Sequence, residues 1–151
     1  VEVAVINLQG DLFMTTPTSP FLVVDGLVDE ALARTPVVLV DFHAEATSEK
    51  LAMAQHLDGR ASAVMGTHTH VQTNDARVLH GGTAALTDAG MCGPHDSVIG
   101  VQSDLAIRRM RTGLPVRFKP AESGVRLEGA LIECNPETGR ASACRTFRRD
   151  A

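Results

Sequence analysis

Histidine is the natural starting point, because the chain has six and places three of them at chemically suggestive spots. His68 and His70 stand one residue apart in GTHTHVQT, directly after the apolar run ASAVM. His43 closes PVVLVDFH, another nearly unbroken apolar run. Neutral imidazoles suit borderline divalent metals such as Mn, Fe and Zn, and carboxylates accept the same ions. Metal-bound imidazoles also need partners that orient the second ring nitrogen. Asp41 and Glu45 flank His43 in sequence, and Thr69 lies between the other two histidines, so these three are the candidate partners. The plainer alternative is structural. Buried polar side chains are generally hydrogen-bonded for packing reasons alone. Asp41 then caps a loop, Glu45 opens a helix, and Thr69 alternates outward.

The elements that carry these residues follow from pattern. VEVAVIN (Val1–Asn7) is β-branched and apolar, hence a strand. Ser19-Pro20 reads as N-cap and first helical residue. Phe21, Val24, Leu27, Val28, Ala31 and Leu32 then form a helical stripe that Pro36 ends. PVVLVDFH (Pro36–His43) reads as a strand buried on both faces. Thr47 or Ser48 can cap a second helix ending at Asp58-Gly59, and ASAVMG (Ala61–Gly66) is a third strand. Strand, helix, strand, helix, strand is α/β architecture.

In such sheets ligands collect outside the carboxyl ends of the strands. His43, His68 and His70 are therefore expected to converge on one rim. An extended backbone would send His68 and His70 to one side, with Gly66 allowing a tight turn before them. A two-metal phosphoesterase centre also needs bridging carboxylates. No Asp or Glu ends an earlier strand here, so the site is either mononuclear or takes ligands from a segment before Val1.

After Gly66 the pattern shifts to short strands divided by Gly and Pro: ARVLH, GTAALTD, PVRFK, GVRLEGALIEC and RASACRTFR. One helix is expected near Gln102–Arg111, and a hairpin around Asn135–Gly139. TDAGMCG, with two glycines after a strand, is either a ligand-approaching loop or a plain tight one. Leu12, Phe13 and Met14 form an apolar loop that covers the site or meets another subunit. Arg108, Arg109 and Arg111 read as a solvated face, His56 as a helix residue and His80 as a turn residue. His95, in GPHD, is a loop histidine with a lesser claim to a site.

The totals narrow the partners. The chain has 151 residues, 44% of them apolar, and a formal net charge of −4, so no basic nucleic-acid surface is expected. No apolar run is long enough to span a membrane. Glu2 and Asn7 interrupt the first apolar segment, which argues against a signal peptide. Cys92, Cys134 and Cys144 lack CxxC spacing; reduced thiols and a cytoplasmic setting are expected, although Cys134 and Cys144 flank the hairpin turn. The chain opens at Val1 inside a strand and is expected to be the later part of something longer.

DFHAEATSEK, GTHTHVQT, LTDAGMCGPHDSVIG and NLQGDLFM together closely resemble the YmdB-like family of calcineurin-type metallophosphoesterases. GTHTH is similar to the GHxH motif of the wider superfamily. The resemblance runs from Val1 to at least Gly100. It implies a sandwich of two packed sheets flanked by helices, with residues 1–151 as the C-terminal part of a single metallophosphoesterase domain. It implies that His43 and His68 bind one metal and His70 the other. The cofactor would be two divalent ions, Fe or Mn foremost and Zn also acceptable. The remaining ligands and the general acid would lie upstream of Val1. The implied activity is hydrolysis of small phosphodiesters, 2′,3′-cyclic AMP among them, by a cytoplasmic homo-oligomer. The alternatives are a non-catalytic metal-binding regulator on the same fold, or a relative acting in capsule or polyglutamate synthesis.

Overall fold

The computed structural model describes residues 1–151. Its centre is a five-stranded sheet built from β1 (Ala4–Gln9), β2 (Val38–His43), β3 (Ala63–Thr67), β4 (Arg77–Val78) and β5 (Ala84–Leu86), in the order β1-β2-β3-β5-β4. β1, β2, β3 and β5 run parallel, and only the edge strand β4 is antiparallel. Helices α1 (Pro20–Leu32) and α2 (Thr47–His56) supply the crossovers between the first three strands, which is why the apolar stripes of those helices exist.

One face of the sheet meets the helices. Val24 and Val28 of α1 and Met53 of α2 pack with Val40, Phe42, Val64 and Ala85 of the strands. Phe42 and Met53 are fully buried, each a gain of roughly 1.5–3 kcal/mol in transfer free energy. The opposite face is covered over β3, β5 and β4 by a second, three-stranded sheet: β6 (Gly93–Pro94), β7 (Val125–Cys134) and β8 (Ala141–Asp150). There Ala63, Met65, Ala84 and Leu86 meet Ala130, Ile132, Ala141 and Cys144. The result is two packed sheets with helices on one side. A third helix, α3 (Ser103–Thr112), exposes Arg108, Arg109 and Arg111, the solvated face expected of them.

The hairpin between β7 and β8 turns at Asn135–Gly139. The Asn135 side-chain oxygen accepts from the N–H groups of Glu137 and Thr138, and Gly139 takes φ 70°. All three cysteines are free. Cys134 pairs with Ala141 and Cys144 with Ile132, so the two thiols do not oppose each other. Burial pushes the Cys144 thiol up, which keeps it protonated and unreactive.

Several expectations need correction. PVRFK is not a strand. Its residues lie on the surface, and the only ladder contact nearby is the bridge from Val101 to Pro120, because no partner strand faces it. Neither Thr47 nor Ser48 caps α2; Ala46 is the capping residue and Thr47 is already helical. β1 begins at Ala4 and ends at Gln9, two residues beyond the expected end. Gly66 does not make a turn, since it lies within β3. Its lack of a side chain matters for another reason. A Cβ there would overlap the Thr87 carbonyl, so glycine lets the chain after β5 lie flat against β3.

Candidate active site at the carboxyl ends of the strands

Parallel pairing lines up the strand ends. Gln9, His43 and Thr67 share one row across β1, β2 and β3, and Asn7 and Asp41 share the row two residues behind. Since side chains alternate, Asp41 and His43 emerge on the same face. A hydrogen-bonded relay results. The Asn7 side-chain amide donates to Asp41 Oδ2 at 2.7 Å. The Thr67 hydroxyl donates to Asp41 Oδ1 at 3.3 Å, so its oxygen is free to accept from His43 Nδ1 at 3.1 Å. That places the proton of His43 on Nδ1 and leaves the Nε2 lone pair pointing outward.

His43 Nε2 faces His68 Nδ1 at 3.0 Å, with the two rings edge to face at 4.8 Å. The other nitrogen of His68, Nε2, lies 2.7 Å from Glu45 Oε2. A carboxylate only accepts, so His68 Nε2 carries a proton. With His43 carrying its proton on Nδ1, the two facing nitrogens can share a cation or a proton across 3.0 Å. Both rings have their second nitrogen oriented by an oxygen acceptor, the arrangement that accompanies imidazole ligands. The donor set fits a divalent metal. Within this chain it is a pair: no group of three or more His, Cys, Asp or Glu side chains comes together to hold an ion.

The loop after β3 is held from below by Asp88, which is 1% exposed and follows β5. Asp88 Oδ2 accepts from the Thr69 N–H at 2.9 Å, the Thr69 hydroxyl at 2.8 Å and Lys50 Nζ at 3.2 Å. Asp88 Oδ1 accepts from the Gly90 N–H at 3.0 Å. Lys50, on α2, is 3% exposed, so this is a fully buried ion pair.

With the geometry in view, comparison with known proteins decides the family. The profile of the YmdB-like protein family matches residues 1–147. The chain belongs to the YmdB-like family. It is 54% identical over 140 residues to the 2′,3′-cyclic-nucleotide 2′-phosphodiesterase of Bacillus subtilis (strain 168), a match covering 93% of this chain and 53% of that protein. The crystal structure of a hypothetical protein from Thermus thermophilus superposes with a TM-score of 0.89 at 41% identity, over 97% of this chain and 56% of that one. The crystal structure of a novel phosphatase from Mycoplasma pneumoniae gives a TM-score of 0.86 at 36% identity, over 97% of this chain and 52% of that one. This YmdB-like chain thus spans about half the length of the curated relatives it matches.

The expected site residues divide into those that meet and those that do not. The YmdB-like chain brings His43, His68, Asp41 and Glu45 together. Asp41 reaches His43 only through Thr67, and Glu45 reaches His68 directly. Thr69 touches neither imidazole and ties its loop to Asp88 instead. His70 does not join the pair. β3 ends at Thr67, and His68 and His70 take φ 122° and 63°, so strand alternation no longer governs where they point. His70 is exposed and lines a separate cavity with His95.

Sequence reading passed over Asn7, Thr67, Lys50 and Asp88. Asp88 was within reach: it follows a parallel strand in TDAG and obeys the same carboxyl-end rule used for the histidines. Lys50 carries no local signal, because only the packed structure shows that a helix lysine is buried.

The loop is clamped again farther along. Asp75 Oδ1 accepts from the Thr87 hydroxyl at 2.9 Å and the Thr87 N–H at 3.3 Å. Partial burial pushes the Asp75 carboxyl up, but bonds from Thr73 and Thr87 outweigh it and hold the group below its ordinary value of 3.8. A depressed folded pKa adds stability above the unfolded value and loses it as pH falls through the folded one. Asp75→Asn is therefore expected to lower the urea midpoint at pH 7. The deficit should shrink as pH falls below 3.8 and through the depressed folded value, where the wild-type carboxyl is also protonated. A deficit that stays constant on acidification would assign the clamp to shape rather than charge.

Proposed function

We propose that the protein carrying this chain is a metal-dependent phosphodiesterase that hydrolyses small phosphodiesters, 2′,3′-cyclic nucleotides foremost, on a calcineurin-like metallophosphoesterase fold of which residues 1–151 form a part. The observation that carries this reading is the facing pair of His43 Nε2 and His68 Nδ1 at 3.0 Å. Its support is 54% identity to a protein named for that activity.

In this reading His43 and His68 hold one divalent cation, and His70 contributes to a second. Fe and Mn are the favoured ions, and Zn meets the same donors. When bound, such cations supply Lewis acidity towards the phosphodiester and lower the pKa of water. The chain's own residues prepare for this. Asn7, Asp41 and Thr67 hold the proton of His43 on Nδ1 and keep Nε2 available. Glu45 accepts a hydrogen bond from His68 Nε2–H and turns Nδ1 towards His43. Asp88 fixes the backbone at Thr69, so the residues on either side of it arrive in register with the strand ends. Asp41, Glu45 and Thr69 thus act behind the imidazoles rather than on the substrate. The general acid and the bridging carboxylate are assigned to segments outside residues 1–151.

Elemental analysis of the full-length protein, paired with hydrolysis of 2′,3′-cyclic AMP with and without added Mn²⁺, tests the reading. Close to two metals per chain and metal-dependent turnover are expected. Metal without turnover would favour a regulatory role, and absence of metal would return the three histidines to structural duty.

A further inference from the structure

Beside the strand ends lies a second concavity of about 310 Å³, lined among others by His70, Met91, His95, Val98 and Ile99. Small-molecule sites begin near 300 Å³. Its walls are two imidazole rings, a thioether and branched alkyl groups. His95 is anchored, with Nε2 3.2 Å from the Met91 carbonyl and 4.0 Å from the buried carboxylate of Glu128. The two rings come from different loops, and His70 stands two residues from His68.

The turn on this rim is built against its own backbone preference. Val98 and Val101 exchange both N–H···O bonds, at 2.9 and 3.0 Å, around the two-residue loop Ile99-Gly100. Both loop residues have positive φ, 47° and 95°, the pattern of a primed hairpin turn. That turn favours Asn-Gly, and a β-branched residue at positive φ is a genuine outlier. Within residues 1–151 Ile99 gains no burial in return, since it is 56% exposed. An apolar side chain held on the lip of a cavity at a strained position is a mark of function rather than of folding.

We propose that this cavity is a base subsite: it receives the heteroaromatic base of a nucleotide substrate, with Ile99 and Met91 packing on the ring and His95 beside it. This rests on the phosphodiesterase reading for the placement of the phosphate, and it adds which part of the substrate lies where. The chemistry favours a planar, polarisable ring. Imidazoles and thioethers make favourable contacts with aromatic faces and edges, and the open rim leaves the polar edge of a base in water. No Lys or Arg lines the cavity, so a bare phosphate has little to hold.

The test is binding of adenosine, which has no phosphate, to the full-length protein, by isothermal titration or saturation-transfer NMR. Adenosine is expected to bind, and Ile99→Asn to weaken it roughly 3- to 10-fold, the scale of losing part of one aliphatic side chain's contact. The same substitution should leave Tm equal to or above wild type, because asparagine suits the turn. Met91→Ala, which changes no residue of the turn itself, should weaken adenosine binding in the same direction. No adenosine binding, unchanged affinity in both variants, or a fall in Tm for Ile99→Asn would overturn the subsite. If adenosine behaves as expected while 2′,3′-cyclic AMP is not hydrolysed, the activity reading fails and the base subsite stands.

Discussion

His68→Ala is expected to lower 2′,3′-cyclic AMP hydrolysis by the full-length protein at least about 10³-fold while leaving the fold in place. Charge stabilisation at a metal centre amounts to several kcal/mol, and each ~1.4 kcal/mol is tenfold in rate. The fold should survive because the His68 side chain is about a third exposed and meets mainly His43 and Glu45. Truncating it leaves the relay through Asn7, Asp41 and Thr67 intact. His70→Ala is expected to cost hydrolysis as well, again without unfolding. Glu45→Gln should do less, about 10- to 100-fold in metal affinity or rate, the usual scale for a partner that only orients a ligand. Steady-state kinetics with circular dichroism as the folding control separates these outcomes. Unfolding of His68→Ala would show instead that the imidazole pair is a structural device.

Asp88→Ala should have the largest effect on stability. It strands the Lys50 ammonium, 3% exposed, without its counter-charge. Breaking a buried pair from one side typically costs about 3–5 kcal/mol. It also frees the Thr69 N–H and hydroxyl, loosening the turn that carries His68 and His70. Activity should therefore fall along with the urea midpoint. The double change Lys50→Met with Asp88→Leu removes both charges and should regain much of the stability, since apolar replacement of a buried pair is often neutral or better. It should not regain activity, because Thr69 then keeps only its local bonds to Val71 and loses its anchor at Asp88. A double variant with recovered hydrolysis would show that Asp88 serves packing alone.

Much of this was legible in the residues themselves. The unbroken apolar run before His43 and the stripe from Phe21 to Leu32 made parallel strands with helical crossovers the economical reading, because period and burial are local properties of sequence. The same logic placed His43 and the GTHTH segment at one rim. Motif resemblance named the family, and the profile match over residues 1–147 agrees. By itself, then, the sequence determined the element order of the first three strands, the rim where His43 and His68 meet, and the family.

Tertiary structure alone decided which side chains meet. The relay from Asn7 through Thr67 to His43 depends on the register of three strands brought together from distant parts of the chain. The parting of His70 from His68 depends on positive φ at both, which a strand-alternation rule cannot foresee. The buried pair of Lys50 and Asp88 joins a helix to a loop 38 residues away. PVRFK has strand composition but found no partner, so its propensity went unused. The physical reason is common to all four: local pattern specifies what a segment can form, whereas hydrogen-bond partners and burial are set by residues remote in sequence.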